Sequence, residues 1–406
     1  MGQANLRRIL DPMESLETAG LQDGDELCAL AIPFHLAATR KGHLIIFAGG
    51  AFCIWCCDRL VTWGDRLNGG DSSAVQDQLR NVQKVYGAAR AFAALLENGQ
   101  VVTWGDPERG GKSLVLRNVQ QLQATLEAFA AVLADGSVVA WGNRDFGGDS
   151  SWVQDQLWNV QQVEATGGAF AAIRGDGSVV TWGNGFRGAN SSEIQDQLRN
   201  VQQIRATTWS FAAILKNGSV ITWGDPDSGG DSSAVQDQLR NVHEIHGSGR
   251  AFAAILTNGS VVAWGSPGDG GDTSGVQDQL HSVQQIQATA SAFAAILADG
   301  SVVAWGDPES GGDSSRVQDQ LQRVQQVGST QRAFAAVLGN GSVVTWGSAH
   351  FGGDSSAVQD QLRNVQEVEG TDCAFAAVLL DGSVVTWGHL HYGGDSSGIQ
   401  EKLRCL

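Results

Sequence analysis

Cysteine, basic charge and long apolar runs are all in short supply in this 406-residue chain. Each shortage removes a class of protein. Six cysteines are too few for a disulfide-built scaffold, and Cys53, Cys56 and Cys57 crowd one segment with no second Cys or His pair at metal-ligand spacing. They read as reduced thiols in a strand. Against 43 acidic residues stand 26 basic ones, a net charge of −17, which repels phosphate backbones and anionic lipid and so argues against nucleic-acid and membrane-surface partners. No stretch approaches the run of about 18 apolar residues that a membrane helix needs, and the first thirty residues have no apolar core of a secretion signal. A cytoplasmic or nuclear protein is expected. Met1-Gly2 opens like an acylation signal, but Leu6 stands where Ser or Thr is wanted, and Cys405 is too near the end for prenylation.

Catalytic constellations are lacking as well. There is no nucleophile elbow, no Gly-rich phosphate loop with its Lys-Ser/Thr partner and no Cys-His arrangement. His243 with His246, and His389 with His391, lack a third ligand, so no metal or other cofactor is expected and the chain reads as a non-enzyme. Asn217, Asn258 and Asn340 each precede Gly-Ser in the glycosylation pattern, but all three sit in hairpin turns.

What the chain does have is a repeat. Trp-Gly recurs with Trp at 63, 104, 141, 182, 223, 264, 305, 346 and 387, giving seven intervals of 41 residues and one of 37. The short interval deletes four residues from the connection after Trp104, where a loop can absorb the loss. The unit from Val283 to Arg323 shows the parts. VQQIQA alternates with period two as a half-buried strand does; AFAAIL and SVVAWG are short apolar strands flanking the Ala298-Asp299-Gly300 turn. An Asp-Gly or Asn-Gly turn is expected to supply the positive φ values of a tight hairpin. In DSSRVQDQL, Ser315 and Gln318 stand at capping-box spacing, which predicts a short helical turn or a bent fourth strand.

A three-stranded meander has two faces to bury, so consecutive units must stack. The expected fold is therefore an all-β tandem-repeat propeller of nine hairpin units. A closed ring is favoured, with a smaller ring or an open superhelix as alternatives. One Trp per unit fills the gap between neighbouring sheets, a scaffold role that accounts for its spacing.

With this register, AFAAILADGSVVAWG resembles the regulator of chromosome condensation repeats and the β-lactamase inhibitor protein II propellers, over residues 43 to 406. The resemblance implies a ring of blades, usually seven, that binds proteins: small GTPases, chromatin, ubiquitin-pathway partners or a target enzyme. The chain departs from that family in its 41-residue unit, its nine hairpins, and Phe in place of the usual early His of the second strand, as at Phe92, Phe293 and Phe334. ILDPMESLETAGLQDGDELCAL resembles the C-terminal half of a ubiquitin-like fold, which divides the chain into residues 1–33, not expected to fold independently, and a propeller at 34–406.

Comparison between units separates scaffold from the rest. One varied stretch follows each Trp-Gly. The other is the residue two before each Phe: Gly50, Arg90, Glu127, Gly168, Trp209, Arg250, Ser291, Arg332 and Cys373. In an up-down-up meander both stretches lie at one end of the sheet, and binding residues sit on loops held by a rigid scaffold. Arg90, Glu127, Trp209, Arg250, Ser291 and Arg332 are thus the expected binding positions for a protein partner; drift in exposed loops after duplication is the alternative. Trp209 occupies the place of a light-absorbing Trp in the plant ultraviolet-B receptor branch of the family, but TTWSFAA lacks the Arg and His of that motif. A stack of Trp209 with Arg250 across blades is expected instead. Two other functions are implied by the resemblance alone: nucleotide exchange on a small GTPase, and a fragment of a ubiquitin-ligase-type protein.

Overall fold

The computed structural model describes residues 44–48, 51–56, 59–112, 114–390 and 394. The ubiquitin-like segment and Cys57 lie outside the described residues. Nine separate three-stranded antiparallel sheets follow one another along the chain, each in the order A-B-C, and between them the regular structure is three-residue 3-10 turns. The fold is an all-β tandem-repeat propeller. In the seventh blade, strand A is Val283–Ala288, strand B is Ala292–Leu297 and strand C is Val302–Gly306.

Strand register follows from the period-two rule. In strand B the first, third and fifth residues face the next blade and the second, fourth and sixth face the preceding one, so both faces are apolar and the strand is buried throughout. The core between blades six and seven shows the arrangement. Ala251, Ala253, Ile255 and Val261 of one blade meet Phe293, Ala295, Val303 and Trp305 of the next, with Leu280 and Ile286 closing the layer. The small Ala residues of strand B give close approach, and the Phe293–Trp305 ring stack, centroids 5.2 Å apart, fills the wider outer gap. The same pair recurs from Phe92–Trp104 through Phe375–Trp387.

The first Gly of the Gly-Gly that follows Trp-Gly, replaced by Gly188-Ala189 in blade four, is fixed by that ring. Gly270 has φ +96, and a Cβ there would stand 2.5 Å from the Phe293 ring, while its carbonyl accepts the Trp305 indole N–H at 2.9 Å. Gly271 is equally confined, its Cβ position being 2.5 Å from the Gly265 carbonyl oxygen.

Strands A lie side by side along the array. The Gln121 side chain spans the step, donating to the Val163 carbonyl at 3.0 Å and accepting from the Val163 N–H at 3.1 Å. Strand C forms the outer edge, and the connector that follows covers it. Gln318 donates to the Val302 carbonyl at 2.9 Å, held by Ser314 at 2.8 Å, and Leu321 is buried between blades. The expected helical turn is present as the 3-10 turn Gln318–Gln320, but not through the expected capping box. Gln318 pairs with Ser314, and the Ser315 N–H is taken by Asp313, because Gln318 turns back to cover the strand edge. The four-residue deletion after blade two is absorbed in this connector, where Leu116 pairs directly with Val101 and the Thr103 hydroxyl donates to the Lys112 carbonyl at 2.5 Å.

The B–C turns also differ from expectation in detail. Only the Gly takes a positive φ, +79 at Gly300; Asp299 acts through its carboxylate, which accepts from the Ser301 N–H at 2.9 Å and hydroxyl at 2.6 Å. The one non-glycine residue with a left-handed backbone in each of blades two to nine is the one before strand A, where Asn recurs and where Ser282 and Arg323 stand in two blades. That conformation lets the Val324 N–H reach the Gly300 carbonyl of the preceding blade at 2.8 Å, and this inter-blade bond repeats from Val119 to Val365. One end of the array is therefore wired by repeated backbone contacts. Cys53 is buried and unbridged, and burial pushes its thiol well above its ordinary pKa.

Candidate functional site

The other end carries the varied residues. Its frame is a backbone ladder: the second residue of each A–B turn donates to the carbonyl of its counterpart in the next blade, from Ala89 to Leu126 at 2.6 Å, then Gly167, Thr208, Gly249, Ala290 and Gln331 to Asp372 at 3.0 Å. Seven such bonds join eight successive turns. Hydrogen-bonded neighbours of this kind stand about 5 Å apart, so the residue that follows each rung falls into a row at that spacing. Those residues are Arg90, Glu127, Gly168, Trp209, Arg250, Ser291, Arg332 and Cys373.

Each turn is also tied to the segment after strand C of its own blade. The Thr289 hydroxyl donates to the Ser310 carbonyl at 3.1 Å, and the Asp307 N–H donates to the Ser291 carbonyl at 2.8 Å. Both varied stretches thus share one end of the sheets, as the meander topology requires. The post-C segments are 3-10 turns closed by a left-handed Gly, such as Pro107–Arg109, Arg144–Phe146, Gly185–Arg187, Pro226–Ser228 and Pro308–Ser310.

Four side chains of the row, those of Glu127, Trp209, Arg250 and Arg332, lean backwards toward the last residue of the 3-10 turn in the preceding blade. Arg250 donates from Nε to the Ser228 hydroxyl at 3.2 Å, and Arg332 does the same to Ser310 at 3.2 Å while pairing with Glu309 at 3.2 Å. Glu127 pairs with Arg109 and accepts from the Asn143 amide at 2.6 Å. Trp209 follows the same rule. It packs on Arg187, whose guanidinium carbon is 3.9 Å from the ring centroid, not on Arg250. The expected Trp209–Arg250 stack is therefore not formed, because Trp209 and Arg250 each reach back to the preceding blade's turn and Arg250 is held by Ser228.

Arg90 is exposed and Ser291 half-buried, while Gly168 adds no side chain. Cys373 is half-buried, its thiol pushed up to about 11 by burial and by the charge of Asp372. Apolar groups are displayed on the same end: Phe186 is 87% exposed, with Leu67, Leu126 and Leu390 also open. A groove of about 490 Å³ runs between Pro226, Asp227 and Pro267, with Arg250 on its rim. Sequence reasoning missed Arg109 and Arg187 because their partners lie on other blades. The signal was there as an offset of 22 residues, seen in 187 with 209, 228 with 250 and 310 with 332.

No protein-family profile matches the chain, and no curated protein matches it in sequence. Among solved structures it is similar to yeast RCC1 (Prp20), solved bound to Kap60, at 14% identity and a TM-score of 0.42 over 86% of this chain and 89% of that one. It is similar to the CRINKLY WD40 ectodomain of the Arabidopsis thaliana receptor kinase ACR4 at 16% identity and a TM-score of 0.36, over 64% and 93% of the two chains. The computationally designed Ika8 protein gives 12% identity and a TM-score of 0.36, over 76% and 96%. The propeller description rests on the nine sheets and the packing between them.

Proposed function

We propose that this chain is a non-enzymatic interaction scaffold that docks partner proteins through the end bearing the A–B and post-C turns. The observation that carries the reading is the ladder. It fixes eight positions in a rigid row while their side chains range over Arg, Glu, Gly, Trp, Ser and Cys, so the backbone is constant and the chemistry differs at every step. From blade two on, the opposite end repeats Asp-Gly or Asn-Gly turns that vary at the residue before them, as at Glu97, Lys216 and Leu380, but no ladder of bonds from turn to turn sets those residues in a row among the described residues. Exposed Phe186 and Leu67 supply the apolar anchors that interfaces use, beside Arg and Trp, the residue types that most often dominate binding energy.

The test is affinity capture with three proteins: wild type, the triple charge reversal Arg90→Glu, Arg250→Glu, Arg332→Glu, and a reversal at the opposite end, Glu97→Lys with Lys216→Glu. Proteins recovered by wild type and by the opposite-end variant but lost from the triple variant support the reading. Recovery that is equal from all three, or lost equally from both variants, contradicts it.

A further inference from the structure

Arg109 and Arg187 hold the same place, the last residue of the 3-10 turn in blades two and four. Their surroundings are opposite. Arg109 is neutralised twice, by Asp106 at 3.4 Å and by Glu127 of the next blade. At Arg187 the residue corresponding to Asp106 is Asn184, and the one corresponding to Glu127 is Trp209. Both carboxylates are gone. In their stead the guanidinium lies 3.9 Å from the Trp209 ring centroid and 5.3 Å from that of Phe146. Among the described residues Arg187 has no ion pair, and its Nη1 is buried without a hydrogen-bond partner. Room for the side chain comes from Gly167 and Gly168, where added Cβ atoms would stand 2.8 Å from Nη1 and 2.6 Å from Cδ.

A chain of net charge −17 has thus removed both counter-charges from one Arg and set it between aromatic rings, on the end that displays Phe186. We propose that Arg187, with Trp209, Phe146 and Phe186, forms a pocket for the carboxylate of an acidic peptide segment in a partner protein, with an apolar residue of that segment beside Phe186. The inference rests on the docking end proposed above. A carboxylate fits better than a phosphate dianion, which is met by clusters of Arg. Here Arg144 is paired with Asp149, and Arg250 is turned away toward the Ser228 hydroxyl of its preceding blade. The planar guanidinium suits two parallel bonds to a carboxylate, and partial removal from water strengthens them.

The experiment pans a displayed random peptide library on the whole chain and measures enriched peptides by calorimetry against Arg187→Gln, Trp209→Glu, Trp209→Gln, and the connector control Arg240→Gln. Enriched peptides are expected to carry Asp or Glu next to an apolar residue, and to lose about 10-fold or more in Kd on Arg187→Gln, as charge-assisted bonds do. Trp209→Glu restores the carboxylate that Arg109 has, and is expected to weaken binding well beyond Trp209→Gln; Arg240→Gln leaves it within about 2-fold of wild type. Thermal melts confirm that each variant folds. A library that yields no Arg187-dependent peptide overturns the pocket, as does equal binding by the two Trp209 variants. So does tighter binding when phosphoserine replaces the acidic residue. If the selected peptides depend on Arg90 or Arg332 instead, the docking end stands and the pocket falls. If they depend on no residue of that end, both fall.

Discussion

Phe293→Ala is a severe test of how the blades cohere. Phe293 has no exposed surface and stacks on Trp305 at 5.2 Å, inside the layer between blades six and seven. Emptying a buried Phe site costs about 3–5 kcal/mol, with the upper end reserved for sites that cannot collapse. This site is of that kind. One wall is the backbone of Gly270, where a Cβ would come to 2.5 Å of the ring, and that backbone is itself fixed by the Trp305 indole bond. The lost aromatic pair, worth about 0.5–1.5 kcal/mol, is part of that cost and places the site in the upper half of the range, so about 4–5 kcal/mol is expected. Urea unfolding followed by Trp fluorescence gives the measurement. Because the surroundings of Phe170 and Phe252 are built alike, Phe170→Ala and Phe252→Ala should agree with it within about 1 kcal/mol. A loss below about 1.5 kcal/mol at Phe293, or values scattered widely between blades, would refute the picture of equivalent rigid interfaces.

Three further outcomes are expected. Gly270→Ala places a side chain at φ +96 and against Phe293, and should cost about 3 kcal/mol or more in the same urea assay. Arg323→Asn restores the residue that most blades use at this left-handed position, φ +55, and should stabilise the chain by about 0.5–1 kcal/mol, read as a raised urea midpoint. Glu369 is pushed up to about 8 by burial and by the neighbouring Glu367 charge. Its folded form holds a proton that the unfolded chain releases near the ordinary value of 4.5, so stability should fall as pH rises from there to about 8. Glu369→Gln should flatten that slope, as thermal melts between pH 4.5 and 8 will show.

Much of the fold was legible because its determinants lie within one unit. The Phe and Trp of AFAAIL and SVVAWG mark strand positions on the same face, and period two alone assigns them to one side. The shared end of the two varied stretches likewise follows from the meander. The rest depends on how one blade sits against the next. Asn before strand A looks like a loop residue until the bond from Val324 to Gly300 shows why it turns left-handed. Gln318 looks like a helix cap until strand C is seen to need an edge cover. Trp209 stands out from the sequence alone, but the sequence points one blade forward to Arg250 as its partner, whereas the stagger between blades places Arg187 beneath it.

The central claim, that partners dock on the ladder end, is tested most directly by hydrogen–deuterium exchange with a captured partner bound. The prediction is slowed exchange in the 3-10 turns Gly185–Arg187 and Pro226–Ser228 and at the A–B turn residues 208–209, with none gained in the B–C turns at 216–219 and 257–260. Protection confined to the B–C turns, or spread evenly over both ends, would contradict the claim.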